Sequence, residues 1–295
     1  MKKIPVGQTI AYAYNFAFGH LGAIIGLSWV SLILVAVLQF LPYAAGHNPM
    51  VQPDNLTEAG QQALEGIGSF FLVMLLYSIV YVAVTRQALG LRRGSAMIHF
   101  ALGSAELRVF GAFLLFVLVI VGMAMALGIG VAILSAAVDA IKQPALALVV
   151  ALLLIAGLCA YLFVIVRLGF LIAPVTVVEE QISLSRGWIL TAGNFWRLLA
   201  VILAIGMPIF LVFAVGVTAI AGPGLFAPLP VDPDAMERAL NARFALIAQH
   251  MPLYIGLTLL IAPFNLGLNL GASAFAYRAL APAGPGVMST AGDAS

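Results

Sequence analysis

Charge is what this sequence has least of. Only 8% of its 295 residues are Asp, Glu, Lys or Arg, 13 basic against 11 acidic, while 63% are hydrophobic. A soluble domain carries roughly 25% charged residues, so this chain cannot cover a water-facing surface. A soluble fold is excluded, and the apolar side chains must face lipid. The net charge of +2 offers no basic face for nucleic acid. Cysteine is almost absent: Cys159 stands alone in an apolar run and can form no intrachain disulfide. The four histidines, His20, His47, His99 and His250, are scattered without metal-ligand spacing, so neither metal nor cofactor is expected. No H-E-x-x-H, Walker loop, G-x-S-x-G or C-x-x-C occurs, which removes the commonest hydrolase, nucleotide and redox signatures. Gly26-Leu27-Ser28-Trp29 loosely matches the G-x-S-x of intramembrane serine proteases, but His250 falls at the edge of a span and not at matching depth. No acid lies mid-span, so the two buried acids of intramembrane aspartyl chemistry are missing as well.

What is present is a set of long, continuous apolar runs. Six candidate spans follow: Leu21–Ala45, Ile67–Thr85, Val109–Ala137, Ala145–Val166, Leu198–Ala221 and Leu253–Tyr277. Each is near or above the roughly 20 residues a helix needs to cross ~30 Å of hydrocarbon. Strands of a membrane barrel would instead alternate over ~10 residues. The opening Met-Lys-Lys resembles the start of a signal peptide, yet the apolar run begins only near Leu21 and no clean small-x-small site follows, so the first span is read as retained.

The basic residues set the orientation. Lys2, Lys3, Arg86, Arg92, Arg93, Arg108, Arg167, Arg186, Arg197 and Arg278 fall on one side of the six spans; Lys142, Arg238 and Arg243 fall on the other. The positive-inside rule places the first group, and with it both termini, in the cytoplasm. The acids lean outward: Asp54, Glu58, Glu65, Asp139, Asp232, Asp234 and Glu237.

Three segments on the basic side share a layout: QTIAYAYNFAFGHLG before the first span, AMIHFALGSAELRVF before the third and LSRGWILTAGNFWRLL before the fifth. Each reads as a short interfacial helix stopping at Gly19-His20, Gly103-Ser104 or Gly193-Asn194. Gly suits a helix C-terminus, and Ser or Asn a following N-cap. The even spans end near Arg86, Arg167 and Arg278. The expected fold is therefore all-α and polytopic, six transmembrane helices as three parallel two-helix units with short cytoplasmic interfacial helices. The common needs of any inter-span loop, a cap and an arginine, are the alternative source of this likeness. On the outer side, residues after Asp54 read as helical, Ala137–Pro144 as a short turn, and Asp232-Pro233 as N-cap and first residue of an amphipathic helix. Residues 1–280 form the membrane domain; 281–295, small and polar, read as a disordered cytoplasmic tail.

With these features placed, PVTVVEEQISLSRGWILTAGNFWRLL resembles a pattern found in the membrane domain that accompanies some bacterial glycerophosphodiester phosphodiesterases, and in related stand-alone six-span proteins. The matching positions are Pro174, Glu179, Ser185, Arg186, Trp188, Leu190, Thr191, Gly193, Asn194, Phe195, Trp196 and Arg197. In those phosphodiesterases a separate soluble barrel carries catalysis from an H-R-G start and paired acids. This chain has no H-R-G, and the spans use up its length. The resemblance implies a bacterial inner-membrane location and no reaction of its own.

Two groups of motif and span residues are candidates for function. In the motif, Arg186, Trp188, Gly193, Asn194, Trp196 and Arg197 are expected at the interface. Indole rings prefer headgroup depth and arginines the anionic leaflet. An unbroken helix would put Arg186 and Arg197 on one face, with Asn194 capping the fifth span; pairing of Arg186 with Glu179 or Glu180 is the rival. In the spans, Asn265 and Asn269 lie four apart beyond Pro263, and Tyr77 and Tyr81 form a second polar stripe. These read either as interhelical hydrogen bonds beside the close-packing pair Gly267 and Gly271, or as a broken helix lining a solute path. Gly122, Ala126 and Gly130 read as packing. The leading expectation is a non-catalytic membrane protein supporting membrane organisation, lipid handling or a partner. The alternative is a small-solute or lipid transporter using spans two and six. Membrane lipids and a membrane or cytoplasmic protein are the expected partners.

Overall fold

Helix begins where the apolar runs begin, and often earlier, because polar caps extend it. The structure, a computed structural model, describes residues 2–44, 55–92, 100–141 and 144–281. In order come α1 (Val6–Gly19), α2 (Leu21–Ala44), α3 (Leu56–Ala88), α4 (Ser104–Ile141), α5 (Pro144–Gly169), α6 (Ile172–Glu179), α7 (Leu184–Leu190), α8 (Phe195–Ala221), a 3-10 turn at Pro223–Phe226, α9 (Pro233–Gln249) and α10 (Met251–Leu280). Among the described residues, six helices are long and apolar enough to cross a membrane: α2, α3, α4, α5 with its continuation, α8 and α10. The protein is an all-α, multi-pass membrane protein.

The caps explain where the elements start. Asn55 accepts from the Glu58 backbone N–H at 2.9 Å and its amide returns a bond to the Glu58 carboxylate. This fuses the expected outer helix and the second span into one element, α3. Asp232 accepts from the Ala235 N–H at 2.9 Å ahead of Pro233, as the Asp-Pro pair predicts. Pro263 does not break α10, which runs on from Met251 to Leu280. Of the helix expected between Ala96 and the third span, residues 100–103 are not helical and the rest, like the segment around Lys142 and the tail from 282, lies outside the described residues.

The six spans pack in chain order and close on themselves: α2 on α3, α3 on α4, α4 on α5, α5 on α8, α8 on α10, and α10 back on α2. Lipid is as apolar as leucine, so close approach and not apolar burial must hold such helices together. Gly267 and Gly271 supply that approach. A Cβ on Gly267 would stand 3.0 Å from Ala17 Cβ and 2.8 Å from Ile24 Cδ1; one on Gly271 would stand 2.9 Å from Phe16 Cδ1. Their partner is α1. The first short helix is therefore packed along α10. α6, buried from Ile172 to Val177, fills the space between α3, α4 and α10. The hairpin of α4 and α5 leaves most of its surface exposed, burying only 6% of each apolar stretch. Gly122 and Gly130 have nothing within 4 Å of a would-be Cβ, and Ala126 is exposed. Their expected packing role finds no partner among the described residues.

Candidate functional site

Lys2, Arg86, Arg108, Arg167, Arg186, Arg197 and Arg278 gather with the family-like motif at one end of the bundle, called here the basic end. Ser183 caps α7, accepting from the Arg186 N–H at 3.2 Å. After seven residues the helix stops: Thr191 Oγ1 donates back to the Gly187 carbonyl at 2.8 Å, and Gly193 takes φ 72, a conformation that costs glycine little. α8 then starts at Phe195. The break between α7 and α8 removes the shared face that an unbroken helix would have given Arg186 and Arg197.

Four of the motif residues, Arg186, Trp188, Asn194 and Arg197, find protein partners in other parts of the chain. Arg186 Nε lies 2.9 and 3.0 Å from the two carboxylate oxygens of Glu179. Tyr277, from α10, donates its hydroxyl to the same carboxylate at 3.2 Å, and Gln181 adds a bond at 3.3 Å. The lipid-facing role expected of Arg186 is thus corrected to the rival: the ion pair is formed. Trp188 is half-buried and takes the Arg167 guanidinium over its ring at 3.8 Å, while Phe163 meets the indole edge-on. Arg167 also donates to the Trp188 carbonyl and, at 3.4 Å, to Thr191 Oγ1.

Asn194 sits at the N-cap position of α8, but its side chain makes no cap bond. That expectation is corrected: Oδ1 accepts from the Ile4 N–H at 3.0 Å and Nδ2 donates to the Lys2 carbonyl at 3.1 Å. Arg197 Nη1 donates to the Ile4 carbonyl at 2.8 Å. Ile4 itself is fully buried among Val166, Leu171, Val175, Leu198 and Tyr277. Lys2 reaches across to the Ala281 carbonyl at 3.0 Å. The motif is a clasp. It ties the N-terminal segment ahead of α1, the end of α5, the end of α6 and the last turn of α10 into one body. Trp196, by contrast, is 76% exposed.

The span candidates do not converge. Asn269 donates to the Asn265 carbonyl at 2.9 Å and to its side-chain oxygen at 2.6 Å, and Asn265 is exposed on the outside of α10. The pair satisfies itself; it neither bonds another helix nor faces the interior. Tyr81 packs edge-on against Phe113 of α4, ring centres 5.0 Å apart. Tyr77 lines a narrow crevice between α2, α3 and α10 with Leu32, Val35, Gln39 and Thr258. Sequence reasoning did not single out Thr191, Tyr277 and Tyr12 as joining elements. The Tyr12 hydroxyl donates to the Ala88 carbonyl at 2.7 Å and ties α1 to the end of α3; nothing in its local sequence marks that role. Compared with family models, curated proteins and solved structures, the chain matches none.

Proposed function

We propose that this chain is a non-catalytic integral membrane protein that supports membrane organisation, lipid handling or a partner protein. Its location would be a bacterial inner membrane, with the basic end and both termini cytoplasmic. The observation that carries the reading is the clasp. Arg167, Arg186, Asn194 and Arg197, the polar groups an active or transport site would need free, are each bound to another part of the chain. The arrangement suits a rigid platform held at a leaflet. The resemblance of PVTVVEEQISLSRGWILTAGNFWRLL to the membrane domain of glycerophosphodiester phosphodiesterases points the same way, since in those proteins catalysis lies in a different domain.

One observation favours a second reading, transport of a small solute or lipid: the crevice where Gln39, Tyr77 and Thr258 meet between α2, α3 and α10. Native mass spectrometry after gentle extraction separates the two. A co-purifying lipid or protein partner is the expected result. Retention of a discrete small solute, displaced when Tyr77 is replaced by Trp, would sink the platform reading.

A further inference from the structure

The charges of the basic end are sorted between two flanks. On the flank built by α4, α6 and α7, arginines stand against carboxylates: Arg186 with Glu179 at 2.9 Å and Arg108 with Glu180 at 3.5 Å. Between the flanks, Arg86 faces the buried Glu106 at 3.8 Å. The other flank is made by the N-terminal segment ahead of α1, the start of α8, the end of α10 and the turn after α3. It carries Lys2, Lys3, Arg197 and Arg278, and none of these four has a carboxylate partner among the described residues.

Contacts join them into one band. Arg197 holds the Ile4 carbonyl and Lys2 holds the Ala281 carbonyl, three residues beyond Arg278. The Arg278 guanidinium lies 3.9 Å from where a Cβ on Gly90 would stand, and Arg92 follows two residues later. Lys3 and Arg278 are exposed. Beside Arg197, the 76%-exposed Trp196 presents an indole of the kind that seats at headgroup depth. Some of this charge is explained by the negative ends of α3 and α10, which attract cations in their last turns. That account covers Lys2 and Arg278; it does not cover Lys3, in the segment ahead of α1, or Arg197, at a helix start, where a helix favours anions.

We infer that this flank is a binding surface for the phosphate of an anionic phospholipid in the leaflet at the basic end, with Lys3 and Arg278 supplying exposed charge and Trp196 the apolar wall. The inference rests on the platform reading above and names its lipid. An arginine fork and a lysine ammonium suit a phosphodiester held at an interface. Each basic residue near an anionic surface contributes about fivefold in affinity, so removing two should cost on the order of thirtyfold.

The test uses the full chain purified in a neutral detergent, with binding of phosphatidylglycerol and phosphatidylcholine followed by native mass spectrometry. The wild type is expected to retain phosphatidylglycerol in preference. Lys3→Gln with Arg278→Gln should lose that preference, and Lys3→Arg with Arg278→Lys should keep it. Arg108→Gln removes one charge from the paired flank and should change it less than twofold. Helical circular dichroism and a single elution peak show that each variant is folded. Equal retention of the two lipids by wild type, or an undiminished preference in the Gln variant, overturns the inference. Displacement of the lipid by millimolar inorganic phosphate would assign the band to a soluble anion and overturn it too. Failure here leaves the platform reading standing, because solute retention at Tyr77 is measured separately.

Discussion

Breaking the Arg186–Glu179 pair should be costly, and restoring it with the charges exchanged should recover part of the loss. The side chains are 33% and 16% exposed, so the pair is shielded but not dry. An exposed pair is worth about 0–1 kcal/mol, and removing one partner of a buried pair costs about 3–5 kcal/mol. This geometry lies between, with one N–H shared by two carboxylate oxygens and a tyrosine hydroxyl on the same carboxylate. We expect Arg186→Ala to destabilise by about 2 kcal/mol, and a double-mutant cycle with Glu179→Ala to give a coupling of about 1–2 kcal/mol. The assay is reversible unfolding of the full chain in mixed micelles. In the swap Arg186→Glu with Glu179→Arg, recovery should be partial. The Tyr277 hydroxyl would then face a guanidinium that cannot accept its proton, and Gln181 would lose its acceptor. A coupling below about 0.3 kcal/mol, with no recovery in the swap, would refute the pairing and return Arg186 to lipid contact.

Asn194→Leu should free the N-terminal segment: hydrogen exchange at the Ile4 amide, bonded to Asn194 at 3.0 Å, should quicken by at least tenfold while α4 and α5 stay unchanged. Gly271→Leu should separate α1 from α10, since even a Cβ there would stand 2.9 Å from Phe16; a cost of about 1–3 kcal/mol is expected in the same unfolding assay, and Gly122→Leu, facing open space, should cost less than half as much. Replacing Asn265 and Asn269 together by Leu should shift stability by less than about 1 kcal/mol, because the two bond each other on an exposed face; a large loss would mean that they bond another helix. Reporter fusions at Arg92 and Ser295 should read cytoplasmic and at Arg238 external, and a cytoplasmic Arg238 would overturn the orientation.

The spans were legible because an uninterrupted apolar run has few alternatives in a chain this poor in charge. Local caps were legible for the same reason, being decided within four residues: Asp232 ahead of Pro233 needed no knowledge of the rest of the chain. The partners of the motif were not. Asn194 has the right residue type and position for a cap, but its side chain is taken by Ile4 and Lys2, about 190 positions away. Arg186 and Arg197 share a face only if α7 runs into α8, and the turn at Thr191 to Gly193 decides against it.

Small-residue stripes show the limit most clearly. Gly122-Ala126-Gly130 and Gly267-Gly271 look alike as sequence, yet α1 comes within contact of the second while the first faces outward. The same holds for polar stripes: four-residue spacing puts Asn265 and Asn269 on one face, but Gly267, Gly271 and Ala274 compete for the interior of α10 and win it. Small residues admit a backbone at close range, whereas an amide in that position would hold α1 away and leave its own polar atoms short of partners. The asparagines are therefore displaced outward and bond each other. A stripe in the sequence thus tells which faces of a span are permitted to approach something. Which face is used depends on α1, a helix whose docking is itself secured at the far end by Asn194 and Arg197, bonded to the segment that precedes it.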